Sequence, residues 1–120
     1  MNEESKRWIL QAKEDHDTAK YLFVGKKYKF AAFHCQQSAE KSLKAVLLRK
    51  KNLLRKIHDL VELGKDVSLP DVLLQEVKEL THAYIYTRYP DVRTEGNLKE
   101  KVSHFLKISE EILAWSEKNL

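Results

Sequence analysis

Two groups of residues in this 120-residue chain have the types and spacing to do chemistry. The first is Gln37, Glu40, Lys41 and Lys44, which fall at offsets 0, 3, 4 and 7 and therefore share one face of an α-helix. That face carries an amide, a carboxylate and two ammonium groups side by side. It can hold an anion, or it can pair along the helix through i,i+4 contacts worth a few tenths of a kcal/mol each. The second group is the run Tyr84-Ile85-Tyr86-Thr87-Arg88-Tyr89-Pro90-Asp91, which holds three of the five tyrosines and one of the two prolines. Tyrosine and arginine together make a surface that can stack on a flat base, and the Arg88 guanidinium can grip a phosphate or carboxylate with two parallel hydrogen bonds. The same residue types dominate subunit interfaces. A structural role is also open, because Tyr84 lies on an apolar stripe and Arg88 and Asp91 can tie down a broken helix end.

Several other chemistries are excluded. The three glycines, Gly25, Gly64 and Gly96, stand alone, so no glycine-rich loop can cradle a phosphate. Cys35 follows His34, but adjacent helical positions point about 100° apart, which is poor geometry for a nucleophile and its base. A single cysteine leaves no internal disulfide, and His16, His34, His58, His82 and His104 are too scattered for metal-ligand spacing. No metal and no cofactor is expected, and no catalytic residue stands out. The net charge of +4 is local: Lys41 to His58 carries seven Lys or Arg and no acid, which leaves the rest of the chain at −3. A basic run of this kind attracts phosphates, although a solvated helix end would look the same.

The elements that must position these groups are helical. Gly and Pro are scarce, charged residues make up 33% of the chain, and its size suits one domain spanning 1–120. Trp8, Ala12, Asp15, Ala19 and Leu22 follow helical spacing with one polar member, which predicts a first helix from about Glu3 to Val24, closed by a left-handed Gly25. Ala32, Cys35, Ala39, Leu43 and Val46 line a second helix, whose small residues permit close approach of a neighbour. His58 or Asp59 can cap a short helix that Gly64 would end. After Ser68-Leu69-Pro70-Asp71, the positions Leu73, Val77, Leu80 and Tyr84 predict a third long helix reaching about Thr87, where Pro90 would stop it. Leu98, Val102, Phe105, Ser109 and Ile112 predict a fourth, to about Lys118. The expectation is an all-α, up-and-down four-helix bundle with one short extra helix. No stretch approaches the roughly 20 apolar residues of a membrane span, and the polar start "MNEESKRW" does not read as a signal sequence, so the expected location is cytoplasmic, without membrane contact.

In this order, "WILQAKEDHDTAKYL", "FHCQQSAEKSLKAVLL", "IHDLVEL", "YTRYPD" and a last helix ending "ILAW", the sequence resembles a HEPN (higher eukaryotes and prokaryotes nucleotide-binding) domain of the RYPD-containing type. The most specific matches are Gln36 to Ala45 and Arg88 to Asp91. The resemblance implies an all-α bundle, commonly a homodimer, that serves as the nucleotide-binding or substrate-binding partner of a minimal nucleotidyltransferase or as half of a toxin and antitoxin pair. It places the nucleotide or phosphate site on Gln37, Glu40, Lys41, Lys44, His58, Arg88, Tyr89 and Asp91, with RNA phosphate as a further ligand. Some members of the family are metal-independent ribonucleases that use an Arg followed, after four to six residues, by a His late in the bundle. Here Arg93 stands five positions after Arg88, Arg55 and His58 are too close in sequence, and His82 precedes Arg88. The alternatives are accordingly a ribonuclease toxin with an altered site, which the missing histidine disfavours, or a non-catalytic dimeric assembly module.

Overall fold

The computed structural model describes residues 2–88 and 98–120, with the backbone alone at Tyr84, Thr87 and Arg88. All regular structure among these residues is helical: α1 (Glu3–Val24), α2 (Tyr28–Lys51), α3 (Leu60–Asp66), α4 (Asp71–Leu80), a 3₁₀ segment (Thr81–Tyr84), α5 (Ile85–Arg88) and α6 (Leu98–Lys118). The all-α class follows from the sequence pattern. So do the limits of α1 and the described extent of α6.

Each helix start has a local cause. The Asn2 side chain accepts a hydrogen bond from the Ser5 amide at 2.6 Å and opens α1, with Glu3 and Glu4 placed favourably at its positive end. Asp59, not His58, caps α3, its Oδ1 accepting from the amides of Val61 at 2.9 Å and Glu62 at 3.1 Å. Pro70 precedes α4, where its missing amide costs nothing.

The helix ends differ from expectation. Gly25 is not left-handed (φ −77°). The reversal is made by Lys26 (φ 62°), with Lys27 N–H on the Leu22 carbonyl at 2.8 Å and Lys26 N–H on that of Phe23 at 3.0 Å. The same double closure recurs after α3, which runs through Gly64 to Asp66. There Ser68 (φ 58°) is the left-handed residue, Leu69 N–H reaches the Gly64 carbonyl at 2.8 Å, and Ser68 N–H reaches that of Lys65 at 3.1 Å. Gly64 serves packing instead: a Cβ there would lie 2.8 Å from Leu74 Cδ1 and 3.2 Å from Leu69 Cδ2. The expected third long helix is segmented. At the end of α4 the Thr81 hydroxyl donates to the Val77 carbonyl at 3.0 Å, a back-bond that bends helices, and the chain tightens into the 3₁₀ segment. The termination expected at Pro90 lies outside the described residues.

Packing places α2 at the centre. From Ser38 to Leu48 every residue of α2 except Lys41 is buried, because α1, α6 and the segments from α3 to α5 all pack on it. Its small residues set the distances: Ala19 of α1 clusters with Ala31, Ala32, Cys35 and Ala39 of α2, and Ala12 of α1 with Ala45, all fully buried. The approach is close enough for the buried Ser38 hydroxyl to donate to the Ala12 carbonyl at 2.8 Å. Leu43, Val46 and Leu47 meet Val77, Leu80, Val102, Ile108 and Ile112 in the main core. The buried face of α1 is rotated from the expected stripe: Ile9, Ala12, His16 and Ala19 are inside, and Asp15 sits at the edge facing α2.

A candidate anion site on the central helix

The polar stripe of α2 does not face solvent as a free helix surface would. Glu40 is only 3% exposed and Lys44 5%, so an ion pair occupies interior space in the middle of the molecule. Lys44 Nζ donates to Glu40 Oε2 at 3.1 Å and lies 5.5 Å from the centre of the Trp8 ring. An ammonium over an indole face gains a cation–π attraction that partly replaces lost hydration. Glu40 Oε1 also accepts from Gln36 Nε2 at 3.3 Å, and Gln37 Nε2 donates to Gln36 Oε1 at 2.8 Å.

The remaining partner of Glu40 comes from the connector before α3. His58 Nδ1 lies 3.1 Å from both carboxylate oxygens of Glu40, while the His58 side chain is 77% exposed. One edge of the imidazole is therefore anchored to a buried carboxylate and the remainder of the ring is in solvent. Asp59, the adjacent residue, caps α3 and holds this part of the connector in place.

A second cluster lies beside the first, between α1 and α2. Asp15 Oδ2 accepts from Lys41 Nζ at 2.6 Å, and Asp15 Oδ1 is 3.0 Å from His34 Nδ1. Both pairs are partly buried. Across the two clusters the carboxylates of Asp15 and Glu40 balance the ammonium groups of Lys41 and Lys44. Any anion attraction must then come from the two imidazoles or from the exposed cations that follow in sequence.

Five of the residues read from the sequence are thus placed: Gln37, Glu40, Lys41, Lys44 and His58 form two adjoining clusters. Glu40 and Lys44 do pair along the helix, but as a buried pair and not as surface decoration. They are too enclosed to touch a ligand directly, so their role at such a site is to position others. Tyr89 and Asp91, and the side chain of Arg88, lie outside the described residues, as does the side chain of Tyr84. Sequence reasoning missed four participants, among them His34, which reads as one of the scattered histidines. Asp15 had a visible signal as the one polar member of its stripe, whereas Trp8 and Gln36 look like ordinary core-edge positions.

The basic run divides in two. Lys41 and Lys44 are consumed by the clusters, and Arg55 is held by Asp66 at 2.6 Å and Glu62 at 3.5 Å, contacts that push its pKa up further. Arg49, Lys50, Lys51 and Lys56 are exposed and make no ion pair among the described residues, although Lys50 lies 5.5 Å from the centre of the Trp115 ring. Cys35 is buried with no access to solvent, and burial pushes its thiol up to about 12, so it carries no thiolate chemistry. Its neighbour His34 turns instead to Asp15. No group of His, Cys, Asp and Glu that could hold a metal occurs among the described residues.

The family model of the HEPN domain matches residues 5–120. A protein from Thermus thermophilus is similar in structure over all of both chains, with a TM-score of 0.87 and 29% identity. An archaeal HEPN homologue shares 30% identity over 98% of each chain, with a TM-score of 0.77. This chain belongs to the HEPN domain family. An HEPN domain protein from Thermotoga maritima has the same fold, with a TM-score of 0.77 over 93% of this chain and 95% of its own, at 22% identity. No curated protein matches the chain. No helix among the described residues of this HEPN domain is long and apolar enough to cross a membrane.

Proposed function

We propose that this HEPN domain, as one unit over residues 1–120 and in an up-and-down four-helix arrangement with α3 as the extra helix, is a nucleotide-binding or substrate-binding subunit. In this reading it works in the cytoplasm as a homodimer with a minimal nucleotidyltransferase partner, as in a toxin and antitoxin pair. The site comprises Gln37, Glu40, Lys41, Lys44, His58, Arg88, Tyr89 and Asp91. His58 meets the phosphate of a nucleotide or RNA, Glu40 holds its imidazole, Lys44 braces Glu40, and Lys41 stays with Asp15 in the adjoining cluster.

The observation that carries this reading is the anchored imidazole: a buried carboxylate fixes His58 Nδ1 while the ring stands in solvent, close in sequence to four cations without ion pairs among the described residues. Fixing a side chain before the ligand arrives removes part of the ordering cost of binding. Electrostatic attraction by Arg49, Lys50, Lys51 and Lys56 would raise the local concentration of a phosphate ligand. A ribonuclease reading built on Arg55 and His58 has less support, because Arg55 is already engaged by Asp66 and Glu62.

Calorimetric titration of ATP, GTP and a short RNA at low salt tests the proposal. Heat is expected from at least one of them and should fall strongly in His58→Ala, whose exposed side chain can be removed without unfolding the domain. Absence of heat for all three ligands, with a dimer intact by light scattering, would overturn the ligand assignment. A monomer by light scattering would overturn the homodimer.

A further inference from the structure

A second charged surface lies at the turn between α1 and α2, separate from the Glu40 clusters. From Thr18 to Ala39 the chain has no acid and four lysines. Lys20 pairs with Asp17, but Lys26, Lys27 and Lys29 have no carboxylate partner within salt-bridge distance among the described residues. These three surround a groove of about 240 Å³ whose other walls are Tyr28, Phe30 and Leu98. The same end of the hairpin exposes apolar surface that the fold does not use: Tyr21 is 80% exposed, Val24 81%, and Phe30 more than half.

The chemistry of the walls selects the occupant. Three unneutralised ammonium groups call for an anionic partner, and bare aromatic and aliphatic side chains call for an apolar one. A stacked nucleic-acid base is the poorer fit. The Tyr28 ring is committed to an edge-to-face contact with Phe23, with centroids 5.5 Å apart and planes at 65°, which leaves Phe30 as the one uncommitted ring of the groove, beside the aliphatic Leu98. The groove volume is below the roughly 300–1,000 Å³ of small-molecule sites and accommodates one large side chain.

We infer that the α1–α2 hairpin end is a docking surface for an acidic protein segment bearing one aromatic or large aliphatic anchor. The anchor enters the groove against Tyr28, Phe30 and Leu98, and flanking carboxylates meet Lys26, Lys27 and Lys29. This surface is independent of the anion site on α2 and stands or falls without it.

Fluorescence anisotropy with the full chain supplies the test. The probe is a fluorescein-labelled peptide of Glu and Asp residues with one central Trp. Its partners are the same peptide with Ala for Trp and a labelled oligouridylate of equal charge. The Trp peptide should bind at least about tenfold more tightly than the Ala peptide, a difference of roughly 1.4 kcal/mol. Its binding should weaken with salt, as expected for exposed charges. It should fall by about tenfold or more in Lys26→Glu/Lys27→Glu/Lys29→Glu and in Phe30→Ala, and hold in Lys65→Glu/Lys78→Glu, with thermal melting confirming that each variant folds. Equal affinity for the Trp and Ala peptides, tighter binding of the oligouridylate at the same lysines, or no binding of any probe would each overturn the inference.

Discussion

The buried pair of Glu40 and Lys44 offers the sharpest test of how this domain is built. The two charges sit 3.1 Å apart with side chains only a few per cent exposed. At an effective dielectric constant near 20 their gross attraction is roughly 5 kcal/mol, set against a desolvation cost of several kcal/mol for each ion. The pair therefore contributes little net stability, but removing one member strands the other. Glu40→Leu leaves Lys44 buried with only the Trp8 ring for company, and the expected loss is about 3–5 kcal/mol. Lys44→Met is expected to lose less, because Glu40 keeps Gln36 and His58 as hydrogen-bond donors. The double variant should recover much of the single loss, with a coupling of about 2–3 kcal/mol. Urea denaturation followed by circular dichroism reads these values. With a slope of about 2 kcal/mol per molar, Glu40→Leu should lower the midpoint by roughly 2 M. A loss below about 1 kcal/mol for Glu40→Leu, or strictly additive effects in the cycle, would refute the claim that the Lys44 charge is trapped by the fold.

Four further substitutions follow from the same structure. His16 is buried with Nδ1 2.7 Å from the Ser109 hydroxyl, and burial, then the nearby Lys20, lowers its pKa. The folded state thus favours neutral His16: its contribution is complete above the unfolded value near 6.5 and is lost as pH falls from there through the lowered folded value. Stability of the wild type relative to His16→Gln should decline over that interval, and a difference independent of pH would contradict it. Glu76 on α4 has its pKa raised by a hydrogen bond with Glu111 of α6, then by burial and by the charge of Glu111. Its ionisation therefore opposes folding as pH rises above the ordinary carboxylate range, so Glu76→Gln should raise Tm at about pH 7 and have less effect at about pH 4; an equal effect at both would count against it. At the α3 end, the Cβ of Gly64→Ala would meet only the far ends of the Leu74 and Leu69 side chains, which can shift, while alanine gains about 1 kcal/mol of helix propensity, so the variant should stay within about 1 kcal/mol of wild type; Ser68→Gly should gain about 0.5–1 kcal/mol by relieving a left-handed serine. Chemical denaturation of the two variants checks both, and a loss above about 2 kcal/mol for Gly64→Ala, or any loss for Ser68→Gly, contradicts the reasoning.

The sequence by itself determined what depends on near neighbours in the chain. Helical spacing marked α1, the apolar side of α2 and the run of α6, because a 3.6-residue period is a local property that survives whatever the helix packs against. It also put Gln37, Glu40, Lys41 and Lys44 on one face, and excluded a glycine-rich phosphate loop and a disulfide framework by composition. Both glycines drew the left-handed closure too early in the chain. Gly25 and Gly64 do stand near helix ends, but the reversals fell to Lys26 and Ser68, each of which donates one closing hydrogen bond while the next residue donates the other.

Only the tertiary structure decided the electrical character of the stripe. Glu40 and Lys44 become a buried pair because α2 is enclosed by α1, α6 and the segments from α3 to α5, and a residue's partners across 18 or 26 positions leave no mark in its own vicinity. That is why the cap of α3 read as either His58 or Asp59, when Asp59 fills that role and His58 reaches back to Glu40. It is also why Asp15 read as an exception in a core stripe when it joins Lys41 to His34. Tertiary packing then divides the basic run: the same charge in sequence is neutralised at Lys41 by Asp15 of α1, at Lys44 by Glu40 one turn earlier in the enclosed helix and at Arg55 by Asp66 and Glu62 of α3, while Arg49, Lys50, Lys51 and Lys56 make no ion pair among the described residues.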